Sequence, residues 1–358
     1  MISAGANPLM SRRSLGYGMA SINLRRRHSL PRGRTGASIT SMAVATRERT
    51  LAQAGVAAPA WPYPPTVLAI PGEREVLKRL HDWGEADPDI RAMILTSSRV
   101  RPDRPVDVLS DYDVVLALSD VEAFSADDRW MCALGTPMVC WGDQHELHGE
   151  ATYFRGVVYA DGVKIDYTLW PDTLLDRVSE AALPDELDVG YSILLDKDGR
   201  TGRWLPPTYR AHIPARPTQA EYQAIVEEFW WGTTYAAKSL WRNELVFAKF
   251  VLDYDMKLVT FGRLLEWLIE LDHDWSIKPG RYGRGLERLL PDDIWSAFAM
   301  TYVGLDIEEN WEALFRLSAL FRRVAAEVGE ALGYSYPYHV DEAVSAYLDE
   351  VRHLPHPA

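Results

Sequence analysis

The chain has 358 residues, of which 47% are hydrophobic and 25% charged, with a formal net charge of -13 and two cysteines. That is room for two domains of ordinary size. No apolar run reaches the roughly 18 residues of a membrane-spanning helix. Cys132 and Cys140 are too few for a disulfide framework, so a soluble protein of the reducing cytoplasm is expected. The charge is uneven: residues 1–50 hold nine arginines and one acid, Glu48, which leaves -21 on the remaining 308 residues. An acidic body repels nucleic acid and other polyanions and raises the local concentration of cationic ligands.

In chain order, residues 1–65 read as an Arg-rich, acid-poor extension (SRRSLGYG, NLRRRHSLPRGRTG) that lacks the composition for a packed core. An organelle transit segment and a basic arm for nucleic acid are its alternatives. After the Pro-rich APAWPYPP, the spacing of Val76, Leu77, Leu80 and Trp83 predicts an amphipathic helix from Glu73 to Trp83. Ile90 to Thr96 and Val114 to Leu118 read as short buried strands, and GTPMVCWG as a weaker one. The Asp161-Gly162 pair between two β-rich segments predicts a hairpin whose second strand carries Asp166, and Asp172 reads as the N-cap of the helix that follows. SILLDKDG is one more strand-like piece within a Pro-interrupted connector. At Thr218 a capping box, Thr-Gln-Ala-Glu, opens a region of helical period. Trp241, Leu245, Ala248 and Leu252 form one apolar stripe there, and Trp311 to Leu332, stopped by Gly333, form another. The expected domains are residues 66–217 and 218–358.

Residues two apart in a strand face the same way, so Asp111 and Asp113 point together while Tyr112, Val114 and Leu116 fill the core. Two adjacent carboxylates raise one another's pKa unless a cation lies between them, and a hard cation such as magnesium takes oxygen ligands of this kind. An acidic turn is the plainer reading of an Asp-x-Asp. Two further features give the pair a context. Ser97-Ser98 end the preceding strand, where hydroxyls and amides can hold phosphate, and Asp166 sits on a later strand between Ile165 and Tyr167.

A strand ending in small polar residues, an Asp-x-Asp and a third strand carboxylate together resemble the nucleotidyltransferase superfamily typified by DNA polymerase beta. More closely, SSRV, DYDVV, KIDYTL, LLDKDG, YAAKSLWRNEL, WSIKPGRYGRGLERLLP, ENWEALFRLSALFR and LGYSYP resemble the successive blocks of the aminoglycoside 6-adenylyltransferases, the streptomycin-modifying enzymes. The resemblance runs in order from about residue 73 to about residue 353. It implies an α+β protein: a polymerase-beta-like nucleotidyltransferase domain with a mixed sheet, then an all-α domain. It also implies transfer of AMP from ATP to a hydroxyl of a cationic aminoglycoside, with release of pyrophosphate. Asp111 and Asp113 would be ligands of Mg2+, and Asp166 the general base or a further ligand. Ser97, Ser98, Arg99, Lys238 and Arg242 would contact the nucleotide, although Arg99 reads equally as a structural ion pair.

The chain departs from the family at two places. Ser97 stands where the family usually has glycine, and a β-carbon there restricts positive φ and crowds a phosphate. Thr136 stands where the family commonly has an acid. A non-catalytic nucleotide-binding protein of the same fold, and a transferase acting on another hydroxylated small molecule, are the alternative readings. The fold itself supports many acceptors.

Overall fold

The protein is described here from a computed structural model covering residues 69–101, 106–180 and 182–355. The Arg-rich extension lies outside these residues, as does the Pro102–Pro105 part of the loop before the Asp-x-Asp. The chain divides into two compact units at Ala211 and His212. The first is built on a mixed six-stranded sheet and the second is helical, which makes the protein α+β.

In the first unit, helix α1 (Glu73–Ala86) buries Val76, Leu80 and Gly84. Gly84 is needed for close approach, because a β-carbon there would stand 2.9 Å from Leu195 and 3.0 Å from Met93. The strands are β1 (Ile90–Thr96), β2 (Tyr112–Leu118), β3 (Pro137–Leu147), β4 (Glu150–Tyr159), β5 (Lys164–Pro171) and β6 (Tyr191–Asp196). Their order across the sheet is β3-β4-β5-β2-β1-β6. Only β2 and β5 run parallel, and the other pairs are antiparallel. Helices α2 (Val121–Ala126), α3 (Leu174–Glu180) and α4 (Asp185–Asp188) complete the unit.

Alternate side chains of the strands feed two cores. Leu80 of α1, Tyr112, Val114, Ile165 and Tyr167 pack on one face; Ile94, Val115, Trp170, Leu174 and Leu175 pack on the other. The predicted strand Ile90–Thr96 forms with those bounds, and the Asp-Gly hairpin joins β4 to β5. Two local expectations are corrected. Strand β2 begins at Tyr112 rather than Val114, because its ladder with β5 already pairs Tyr112 with Ile165. Asp172 is not the cap of α3: that helix starts at Leu174, and the Asp172 carboxylate accepts from Arg200 at 3.0 Å.

The second unit opens with α5 (Gln219–Trp241), where the expected capping box is present. Glu221 N donates to Thr218 Oγ1 at 3.3 Å, and Thr218 N donates to Glu221 Oε2 at 2.8 Å. Then come α6 (Leu245–Lys249), a π-helical stretch over Phe250–Thr260, α7 (Phe261–Leu271), α8 (Leu286–Leu289), α9 (Asp292–Ala299), α10 (Ile307–Leu332) and α11 (Tyr338–His353). Gly333 ends α10 in the left-handed conformation, as its sequence predicts. The stripe from Trp241 to Leu252 is not one helix: Asn243 takes a φ of 58°, and the chain breaks between α5 and α6. Buried Asp341 accepts from Arg322, Tyr336 and Ser345, which fastens α11 to α10. Among the described residues no helix is long and apolar enough to cross a membrane.

Candidate active site

The parallel pairing of β2 and β5 places Asp113 opposite Asp166, and β1 places Thr96 on the other side of Asp113. Directly paired residues project from the same face, so two carboxylates far apart in sequence become neighbours. Asp111, one residue before β2, reaches the same place. Its Oδ2 accepts from Lys164 Nζ at 2.5 Å, and that ammonium also donates to Asp166 Oδ2 at 2.9 Å. The arrangement is one ammonium between two carboxylates, with the third, Asp113, paired beside Asp166.

Asp113 sits deepest. Burial first, and then the charges of Asp166 and Asp111, push its pKa up to about 6, against a hydrogen bond from Ser97 that lowers it. Asp166 is raised for the same leading reason, burial, with Lys164 opposing. Burial alone would pull Lys164 down, but its bonds to Asp111 and Asp166 outweigh that and hold it above the ordinary lysine value. Asp166 Oδ1 is buried and accepts no hydrogen bond. Burying an ionised carboxylate oxygen without a protein donor is costly, in keeping with the raised pKa of this group.

Among the described residues no group of three or more His, Cys, Asp or Glu stands ready to hold a metal by itself. At this cluster the Lys164 ammonium spans Asp111 and Asp166. The donors are nevertheless of the right chemistry for a hard cation. Mg2+ is commonly bound by one or two carboxylates together with substrate phosphates, not by a full protein cage. Asp111 and Asp113 supply such a pair, and Asp166 Oδ1 has unused acceptor capacity beside them.

Lys164 was not among the candidates read from sequence, although it lies two residues before Asp166 on the same strand and therefore on its face. Its loss leaves three carboxylates uncompensated. Lys164→Met is expected to lower the stability of the metal-free protein by about 1–2 kcal/mol, the size appropriate to a cation 39% exposed. Mg2+ should then raise the unfolding midpoint of the variant more than that of the wild type. Equal midpoints in chelator would contradict this.

The turn after β1, Ser97–Val100, is a single 3-10 turn that contains both serines. Ser97 has a φ of 66°. The left-handed conformation that favours glycine is thus retained with a serine in it, and the hydroxyl is turned onto Asp113. Ala at this position keeps the strain and loses the hydrogen bond, whereas Gly loses the bond and relieves the strain. Ser97→Gly is therefore expected to be more stable than Ser97→Ala by about 1 kcal/mol, the reverse of the usual helix or strand order, as denaturant titration would show.

Arg99 faces inward. Its side chain is 5% exposed, and its guanidinium donates to the carbonyls of Asp111 at 3.0 Å and Ser110 at 2.5 Å, with Tyr112 stacked 3.6 Å below. It fixes the backbone that carries Asp111. Thr136 precedes β3, and its carbonyl accepts from Ala160 N at 2.8 Å. Lys238 and Arg242 belong to the helical unit. Lys238 Nζ lies 4.4 Å from the Tyr235 ring centre, and Arg242 is the C-cap of α5, one residue beyond its last turn. A hollow of about 340 Å³ lies at the outer strand β3, lined by Asp128, Cys140, Tyr153 and Arg155 among others, and includes none of the three carboxylates.

A mixed sheet carrying neighbouring carboxylates beside a polar turn, followed by a helical unit, fits the class expected from the sequence, a nucleotidyltransferase. The sequence model of the family described as "Streptomycin adenylyltransferase" matches residues 71–351, and the chain belongs to that family. It is 31% identical over 281 residues to an aminoglycoside 6-adenylyltransferase of Campylobacter jejuni, covering 77% of this chain and 94% of that protein. It is 30% identical over 287 residues to the enzyme of that name from Bacillus subtilis, covering 78% and 97%. A crystal structure of an aminoglycoside 6-adenyltransferase from Bacillus subtilis aligns with 79% of this chain and 100% of its own, at 26% identity and a TM-score of 0.39. The chain is accordingly an adenylyltransferase.

Proposed function

We propose that the protein transfers AMP from ATP to a hydroxyl of an aminoglycoside, the 6-hydroxyl of streptomycin first among them, in the cytoplasm and with Mg2+. The observation that carries this reading is the register of β2 and β5. It sets Asp113 beside an Asp166 whose Oδ1 is buried and has no hydrogen-bond partner. The family relationship supplies the substrate class, and the acidic body suits a polycationic acceptor.

In this reading Asp111 and Asp113 hold the divalent ion, which when bound neutralises phosphate oxygens and makes the α-phosphorus a better electrophile. Asp166 accepts the proton of the acceptor hydroxyl. The hydroxyl oxygen forms a bond to the α-phosphorus as the bond to the bridging oxygen breaks, and pyrophosphate leaves with the electron pair. Burial of Asp166 raises its pKa above the usual carboxylate value, which favours proton acceptance. Ser97, which hydrogen-bonds Asp113, and Ser98 on the same turn would meet phosphate oxygens.

The test is incubation of the full chain with ATP, Mg2+ and streptomycin, measuring pyrophosphate and the mass of an AMP adduct. Adduct with another aminoglycoside only would move the acceptor assignment. Absence of pyrophosphate with every aminoglycoside would reject it, and adduct on some other hydroxylated compound would then give the acceptor class.

A further inference from the structure

The row of paired residues does not stop at Asp166. Asp166 is opposite Gly156 on β4, and Gly156 is opposite Trp141 on β3, so Asp113, Asp166, Gly156 and Trp141 lie on one face across four strands. Phe154 is two residues from Gly156 and shares that face. A β-carbon at Gly156 would stand 3.1 Å from Asp166 Oδ1 and 3.1 Å from the edge of the Phe154 ring. The missing side chain is what lets the ring lean across the strand beside the carboxylate. Phe154 in turn meets the Trp141 indole at 5.5 Å between ring centres. Trp141 is 51% exposed, an unusual place for a tryptophan on a strand at the edge of a sheet. Asp143, opposite Phe154, stands on the same face.

The result is an aromatic shelf that starts at the Asp166 carboxylate and ends at an exposed indole with a carboxylate beside it. Strands are about 4.8 Å apart, so the shelf from Asp166 to Trp141 is about 10 Å long, enough for a sugar ring and a substituent. Its chemistry suits a ring with one apolar face, hydroxyls at its edge and a cationic substituent: the face rests on aromatic carbon and the cation is attracted to the indole and to Asp143. A hydroxyl at the inner edge would be at Asp166.

Resting on the reading of the protein as an aminoglycoside adenylyltransferase, we propose that Phe154 and Trp141 form the acceptor subsite, Trp141 binding the cationic ring and Phe154 positioning it against the base. Neither residue is part of the Asp-x-Asp chemistry, and Trp141 acts in binding rather than in the transfer.

The experiment compares Trp141→Leu, Trp141→Phe and wild type with saturating ATP and Mg2+ and varied aminoglycoside, then with the roles of the substrates exchanged. Trp141→Leu should raise KM for the acceptor about tenfold, leave KM for ATP unchanged, and weaken binding of the acceptor measured by calorimetry without ATP by the same factor; Trp141→Phe should recover most of it. Because the indole is on the surface, the fold should be retained. An active wild type with an unchanged acceptor KM in Trp141→Leu would overturn the subsite and leave the transferase reading standing. A change in ATP KM of equal size would also overturn it. A wild type that modifies no aminoglycoside overturns that reading and the subsite with it.

Discussion

Replacing Asp113 by asparagine is expected to abolish nucleotidyl transfer and to raise the thermal stability of the metal-free protein. The first effect follows from losing one of the two carboxylates proposed to hold the divalent ion. Removal of that charge stabilisation amounts to several kcal/mol, about 1,000-fold or more in kcat. The second follows from where Asp113 lies. Buried beside Asp166 and Asp111, it has a folded-state pKa of about 6, above the value it returns to when the chain unfolds. A raised carboxylate pKa means that the folded state holds the proton longer, so stability is lost as pH rises from about 4 to about 6. At neutral pH this costs the wild type up to about 3 kcal/mol, which asparagine removes. In chelator at pH 7 the variant should unfold several degrees higher, and the difference should vanish near pH 4. A variant that kept full activity would reject the metal assignment. One that lost activity while becoming less stable at pH 7 would reject the electrostatic account of the cluster.

Asp166→Asn tests the proposed base apart from the proposed metal ligands. The amide cannot accept the acceptor's proton, so kcat should fall by about 100-fold to 10,000-fold, the usual contribution of a positioned general base. Because Asp111 and Asp113 remain, KM for ATP and the Mg2+ requirement should change little, unlike the outcome for Asp113→Asn. The acid limb of the pH–rate profile should also weaken, since the raised pKa of Asp166 no longer controls proton acceptance. A profile with an unaltered acid limb and near-normal kcat would give the proton to another group.

The shared origin of both effects is desolvation. The same burial that makes Asp113 and Asp166 costly to ionise would, in the proposed reading, make them responsive to a cation and suited to take a proton, and Lys164 limits the cost. Such sites commonly trade stability for function, and the opposite signs predicted for activity and midpoint in Asp113→Asn are the measurable form of that trade.

Much of the fold was legible in the residues themselves. The strand at Ile90–Thr96, the Asp-Gly hairpin, the Thr218 capping box and the Gly333 stop are set by side chains and φ preferences within a few positions. The same locality marked Asp111, Asp113 and Asp166 as candidates, while the expectation of glycine at Ser97 came from the family resemblance. What the local signal cannot carry is which strand lies beside which. Pairing of β2 with β5 brings Asp113 to Asp166, and pairing of β4 with both β5 and β3 extends that row to Trp141. Those neighbours are chosen by burial of whole faces of the sheet, so only the tertiary structure decided that Lys164 bridges two acids and that Arg99 turns inward to hold Asp111.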